Sequence, residues 1–256
     1  MSINIKNLCF SYGRKFDPVL KNVNFSISDN TITVLLGLNG CGKTTLIKAI
    51  AGLFNNITGE ISYNDTLLSS LSIRERSKLV AYVPQKISGI DDVKVEDYLT
   101  YGMVNSLKFY QTPSQSEKQK TIDMANKFHI EHLIHKNMSE LSGGERQIVS
   151  LVSSLLQNTK IILLDEPTSA LDLKNQSLVL SILKEISKRE NKTIILSSHN
   201  PNHALFLECN VALMNEGKIL KFGPANKIIN VEDLRCIYGD NVCLSKDLPY
   251  TEISFV

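Results

Sequence analysis

Eight residues constrain this chain more than any other stretch. Gly37-Leu38-Asn39-Gly40-Cys41-Gly42-Lys43-Thr44 fits G-x-x-x-x-G-K-[ST]. Residues 31–36 before it are β-branched and apolar. Residues 43–53 after it set Leu46, Ile47, Ile50 and Leu53 on one helical face. A strand, a glycine-rich turn and a helix in that order make an anion site. Glycines let backbone N–H groups approach phosphate oxygens without a Cβ in the way, and the helix directs its positive dipole end at the anion. Lys43 is expected to reach the β- and γ-phosphates, and the Thr44 hydroxyl to ligate Mg²⁺. Gly37, Asn39, Gly40, Cys41, Gly42 and Thr45 complete the expected nucleotide-binding set. Cys41 reads as a small filler residue, since no activating partner for a redox thiol is visible.

A second stretch supplies acids. Ile161-Ile162-Leu163-Leu164-Asp165-Glu166 is a short apolar run of the kind buried on both faces of a sheet, ending in two carboxylates. Open α/β sheets place ligands at that end of their strands. Successive strand side chains point to opposite faces, which predicts different tasks for the two acids. Asp165 is expected to hold Mg²⁺, and Glu166 to polarise an attacking water or accept its proton.

The rest of the chain suits an α/β protein. Ile3 and Ile5, then Val23, Phe25 and Ile27, alternate as strands around a loop tip at residues 11–15. Residues 86–140 are mixed and polar, with a loop-like stretch at 111–116. Residues 144–157 form an amphipathic helix through Ile148, Leu151, Val152, Leu155 and Leu156. A further helix over 175–188 and a buried strand over 193–196 imply a parallel sheet. Composition sets outer bounds. With 43% hydrophobic and 21% charged residues in 256, the chain is neither disordered nor fibrous. Lys+Arg at 28 against Asp+Glu at 26 gives no support for a general nucleic-acid binder. No apolar run approaches the roughly 18 residues of a membrane span. The start lacks the order of a secretory signal. Five cysteines without C-x-x-C are expected to be free thiols in a reducing cytosol.

Leu141-Ser142-Gly143-Gly144-Glu145 lies between these two stretches. As local chemistry it is a capping box, S-x-x-E, opening the amphipathic helix. Together with the phosphate loop and the acid pair, it resembles the signature of the ATP-binding cassette (ABC) family of transport ATPases, and the resemblance covers nearly the whole chain. It implies a P-loop NTPase fold: a RecA-like core, an N-terminal antiparallel β portion, and an inserted helical part at about residues 86–157. All belong to one domain over 1–256, with a C-terminal extension from about 224.

The resemblance also assigns roles. Ser142, Gly143 and Gly144 would bind the γ-phosphate of ATP held by a second subunit. Gln85, in Ala81-Tyr82-Val83-Pro84-Gln85, is similar to the Q-loop glutamine that senses Mg²⁺ and the attacking water. His199 is similar to the switch histidine at the γ-phosphate. Ser169-Ala170-Leu171-Asp172 resembles the D-loop crossing to the other subunit, and Tyr12 the aromatic that stacks on adenine. The implied cofactors are ATP and Mg²⁺. The implied assembly is a homodimer on a two-subunit transmembrane permease at the cytoplasmic face of the membrane. An extracellular substrate-binding protein acts indirectly, and no nucleic acid is involved.

Residues 199–205 and 234–239 look like segments of importer ATPases for iron-siderophores, haem, cobalamin or related metal chelates. An ABC exporter subunit, or a non-transport ABC ATPase, is the alternative. A GTPase would show N-K-x-D, and no such tetrapeptide occurs. Three positions depart from the family pattern. Asn200 stands where aspartate is common, Ser153 where arginine is usual, and Asn30 at a turn usually taken by glycine. His129, His132 and His135 drift around an expected helix rather than converge on a metal. Cys236 and Cys243 are expected to pack.

Overall fold

The computed structural model describes residues 1–13, 15–87, 89–103 and 114–240, and the backbone of a short antiparallel pair, Val242–Ser245 with Glu252–Phe255. Residues 111–113 of the loop-like stretch at 111–116 and the side chain of Cys243 fall outside these residues, whereas Ser114 caps a helix that Gln115 and Ser116 open. The chain opens with β1 (Ile3–Phe10), β2 (Leu20–Ile27) and β3 (Ile32–Leu36), then α1 (Lys43–Ile50), β4 (Thr58–Tyr63) and β5 (Thr66–Leu67). It continues with α2 (Ile73–Leu79), β6 (Val80–Val83), α3 (Val95–Tyr101), α4 (Gln115–Lys127), α5 (Gly143–Leu156) and β7 (Ile161–Leu164). There follow α6 (Leu173–Arg189), β8 (Thr193–Ser198), α7 (Pro201–Leu207), β9 (Asn210–Asn215), β10 (Lys218–Pro224), α8 (Ala225–Ile228) and α9 (Val231–Tyr238).

Two sheets organise these elements. The larger runs β10-β9-β3-β8-β7-β6, parallel except where β10 turns back on β9. The smaller is antiparallel, ordered β2-β1-β4-β5. Every residue of β3, β7 and β8 is buried, so both faces of the central strands are covered. The pleat divides the core accordingly. Ile161, Leu163 and Ile195 pack with Leu46, Ile47 and Ile50 of α1 and with the small sheet. Ile162, Leu164 and Ile194 pack on the other side with residues of α5, α6 and α7. The consequence for function is geometric. The C-terminal ends of β6, β7, β8 and β3 lie side by side, so the segments that follow them emerge along one edge.

Between β6 and β7 the described residues include the helices α3, α4 and α5. Helices α3 and α5 cross closely: a Cβ on Gly102 would lie 2.2 Å from the Ser153 carbonyl oxygen. Ser153 is buried there, and its hydroxyl donates to the Tyr98 carbonyl at 3.2 Å. A long arginine side chain at this position would have to leave that contact. Asn30 takes φ 55°, the left-handed turn that asparagine tolerates. Asn200 caps α7, accepting the Asn202 N–H at 2.9 Å as an aspartate would.

Two expectations are corrected. His129, His132 and His135 do not share a helix. His129 sits at φ 56° just past α4, and His132 lies in a single 3₁₀ turn, Glu131–Leu133, of which Leu133 is buried. Cys236 is exposed on α9 rather than packed. Among the described residues, no helix is long and apolar enough to cross a membrane.

Candidate functional site

The phosphate loop is shaped by sterics. Gly40 and Gly42 adopt φ 81° and 108°, which L side chains rarely occupy. Gly37 lies outside that range of φ but has no room: a Cβ would come within 2.4 Å of the Met214 carbonyl oxygen and 2.8 Å of Cys41 Sγ. Cys41 thus fills the space behind the loop. Burial pushes its thiol pKa up, against the opposing pull of the Lys43 ammonium, which keeps it unreactive. Lys43 folds back over the loop. Its Nζ donates to the carbonyls of Gly37 at 2.8 Å and Leu38 at 3.0 Å. Leu38, Asn39 and Gly40 form the exposed rim.

Asp165 is 1% exposed at the end of β7. Its Oδ1 accepts hydrogen bonds from the hydroxyls of Thr44 at 2.9 Å and Ser197 at 2.8 Å. A buried carboxylate held by neutral hydroxyls, beside an anion-binding loop, offers the hard oxygen donors that a Mg²⁺-type cation takes. The residues expected for Mg²⁺ therefore divide. Thr44 and Asp165 touch each other, whereas Gln85 joins through Glu166.

Glu166 does not point away from Asp165 by strand alternation, as expected. β7 ends at Leu164, and Glu166 takes the left-handed angle φ 48°. Such a conformation costs about 1–3 kcal/mol and persists only where neighbours fix it. Here they do. The Glu166 N–H donates to Ser197 Oγ at 2.8 Å, and its carbonyl accepts from Gln147 Nε2 at 2.7 Å and Ser169 Oγ at 3.0 Å. The turn aims the carboxylate at three expected partners. Gln85 Nε2 donates to Oε2 at 2.9 Å, His199 Nδ1 lies 3.8 Å from Oε2, and Lys43 Nζ lies 3.9 Å from Oε1. His199 is half exposed, and its carbonyl accepts the Tyr238 hydroxyl at 3.0 Å.

Tyr12 lies at the other end of the loop. Its hydroxyl is 3.1 Å from Thr45 Oγ1, and its ring stands edge-on to Phe10 and Phe54, with centroids 5.0 and 5.9 Å away. The ring remains 58% exposed, a braced aromatic surface beside α1.

The remaining expected residues lie apart from this cluster. Ser142 caps α5, accepting the Glu145 N–H at 3.3 Å, while Glu145 Oε2 accepts the Ser142 N–H at 2.8 Å. Ser142 and Gly143 are exposed, and a Cβ on Gly143 would meet nothing within 4 Å. Among the described residues, no hydrogen bond or ion pair ties Ser142, Gly143 or Gly144 to the phosphate loop of their own chain. Asp172 caps α6 through the Asn175 N–H at 2.8 Å and does not reach Glu166. A cavity of about 590 Å³ lies between Gln85 and the start of α5, lined by Gly143, Arg146, Gln147, Ser169 and Ala170.

Sequence reasoning missed Ser197, Gln147 and Tyr238. Gln147 left a trace: it sits four residues before Leu151, on the apolar stripe of α5, and is buried. A polar residue on a buried stripe must find partners, and it spans the Glu166 carbonyl and the Ala170 N–H.

Comparison with known proteins gives the family and the fold. The ABC transporter family model matches residues 20–169. An uncharacterised ABC transporter ATP-binding protein of Haemophilus influenzae is 35% identical over 93% of this chain and 89% of its own length. A protein of Helicobacter pylori designated an iron chelatin transport ATP-binding protein is 34% identical over 93% of both. A solved structure designated a metal-chelate type ABC transporter in an inward-facing conformation superposes with a TM-score of 0.80. It is 28% identical and covers 100% of this chain and 96% of that one. The family match spans more than half of the chain and the relatives align almost end to end: the chain belongs to the ABC transporter family, as an ATP-binding and ATP-hydrolysing subunit.

Proposed function

We propose that this ATPase powers import of a metal chelate through a separate permease, as a homodimer at the cytoplasmic face of the membrane. The convergence of Lys43, Gln85 and His199 on the Glu166 carboxylate, beside the Thr44–Asp165 pair, carries the catalytic part of this reading. Lys43 holds the β- and γ-phosphates, and His199 contacts the γ-phosphate. Glu166 orients the attacking water and takes its proton. Thr44, Asp165 and Gln85 would hold Mg²⁺, which neutralises phosphate charge when bound. Ser142, Gly143 and Gly144 serve the ATP of the partner subunit, and the D-loop around Asp172 crosses toward it. ATP closes the dimer and hydrolysis reopens it. The helical part, about residues 86–157, passes that motion to the permease through the segment after Gln85.

Tyr12 stacks on the adenine in this reading. Tyr12→Ala should weaken ATP binding about tenfold, within the 1–3 kcal/mol that base–aromatic stacking supplies. Tyr12→Phe should bind as the wild type does. Titration with a fluorescent ATP analogue measures both.

The cargo rests on likeness to the iron chelatin and metal-chelate relatives. Tagged Glu166→Gln, purified with Mg-ATP from detergent-solubilised membranes of the native host, tests it. Mass spectrometry should identify a many-span permease. The substrate-binding protein recovered with it should retain a metal chelate, read by elemental analysis. A binding protein carrying a metal-free ligand would overturn the cargo, and recovery of soluble partners alone would overturn the transport role.

A further inference from the structure

A buried polar bridge joins the two loops that flank the Glu166 carboxylate, and no role proposed above uses it. His203 lies on α7, four residues after His199, and is 8% exposed. Its Nδ1 is 3.0 Å from Ser198 Oγ, and its Nε2 is 3.3 Å from Gln176 Oε1. Gln176, on α6, donates its amide to the carbonyls of Leu171 at 2.9 Å and Thr168 at 3.3 Å. Those two donations fix the amide orientation, leaving Oε1 as the acceptor toward His203. The Nε2–H tautomer satisfies Gln176 Oε1 and turns Nδ1 to the Ser198 hydroxyl, which also faces the Asn200 carbonyl at 3.3 Å, while Asn200 Nδ2 lies 3.5 Å from the same Nε2. Burial, with His199 as a lesser cause, pushes the His203 pKa down to about 4, so the ring is neutral at physiological pH. Ser198 Oγ also accepts the Asn200 N–H at 3.0 Å, which places the bridge on either side of His199.

We propose that His203, acting through Gln176, is a positioning residue that locks the loop after Glu166 to the loop that carries His199. The loop at 168–171 begins two residues after Glu166, and Ser198 immediately precedes His199. Neither loop can shift alone without breaking a buried or part-buried hydrogen bond. His203 touches no reacting atom in this account. It sets the spacing between the carboxylate that activates water and the imidazole at the γ-phosphate. The inference rests on the roles proposed above for Glu166 and His199.

The test uses the full chain, four bridge variants and a Glu166→Gln control, with kcat, ATP affinity and melting temperature measured on each. His203→Ala should lower kcat about 10–100-fold, the scale of a misplacement near 1 Å, and leave ATP affinity within about twofold. His203→Gln should recover most of kcat, because its amide donates where Nε2–H does. His203→Asn, whose shorter side chain keeps only the contact to Ser198, should turn over as slowly as His203→Ala. Gln176→Ala, at a half-buried position, reads the same bridge if His203→Ala does not fold. A folded His203→Ala or Gln176→Ala with wild-type kcat would overturn the proposal. So would His203→Gln falling as far as His203→Asn. Glu166→Gln serves as the control: if it turns over normally, the site reading itself has failed. If it is inactive while the bridge variants are normal, only this inference has.

Discussion

Glu166→Gln is expected to keep ATP binding and lose turnover by about 10²–10⁴-fold, the contribution of a well-placed general base. The substitution is nearly isosteric, and the bonds that hold residue 166 in its left-handed turn all reach backbone atoms. Ser197, Gln147 and Ser169 therefore hold the variant as they hold the native residue. An amide oxygen can still accept from Gln85. What disappears is the charge facing Lys43 and His199, and with it the ability to take a proton. Single-turnover assays should show bound, unhydrolysed ATP, and the closed dimer should accumulate. Rapid turnover in this variant would remove Glu166 from its role.

Ser142→Arg should separate binding from hydrolysis. Ser142 is exposed and, among the described residues, no hydrogen bond ties it to its own phosphate loop, so ATP affinity should stay near the wild-type value. Loss of the helix cap costs about 1 kcal/mol, which lowers the melting temperature by about 2–4 °C in a chain of this size. Turnover should fall at least about 10²-fold, as when an oriented donor to a developing charge is removed. The arginine fills the place where the partner's γ-phosphate would sit. Equal loss of binding and turnover would place Ser142 in the site of its own chain instead.

Much of this architecture was legible because it rests on local chemistry. The phosphate loop follows from glycine sterics and a lysine at fixed spacing. The buried strand Ile161–Leu164 follows from an unbroken apolar run, and the cap at Ser142 from a serine three residues before a glutamate. Residues placed by long-range contacts were not legible. Ser197 bonds Asp165, 32 residues away, and Gln147 bonds the Glu166 carbonyl, 19 residues away. Neither separation follows a helical or strand period. Glu166 shows the limit most clearly. Strand alternation assigned its direction, but a left-handed turn held by three side chains sets it. The histidines at 129, 132 and 135 are exposed, as a solvated face requires, but they do not share the helix that their spacing and the apolar set at 128, 130, 133 and 134 suggested: α4 ends at Lys127, and the buried Phe128, Ile130 and Leu133 lie past it.

The central claim is that each catalytic site is shared between two chains, and mixing two inactive variants tests it directly. Lys43→Ala spoils the phosphate loop and leaves the signature intact. Ser142→Arg does the reverse. In a two-fold dimer the mixed pair contains one site with both defects and one with neither. The account predicts that combining the two purified variants restores ATP turnover that neither shows alone. A mixture that remains as inactive as its components, while mixed dimers are seen to form, would contradict it.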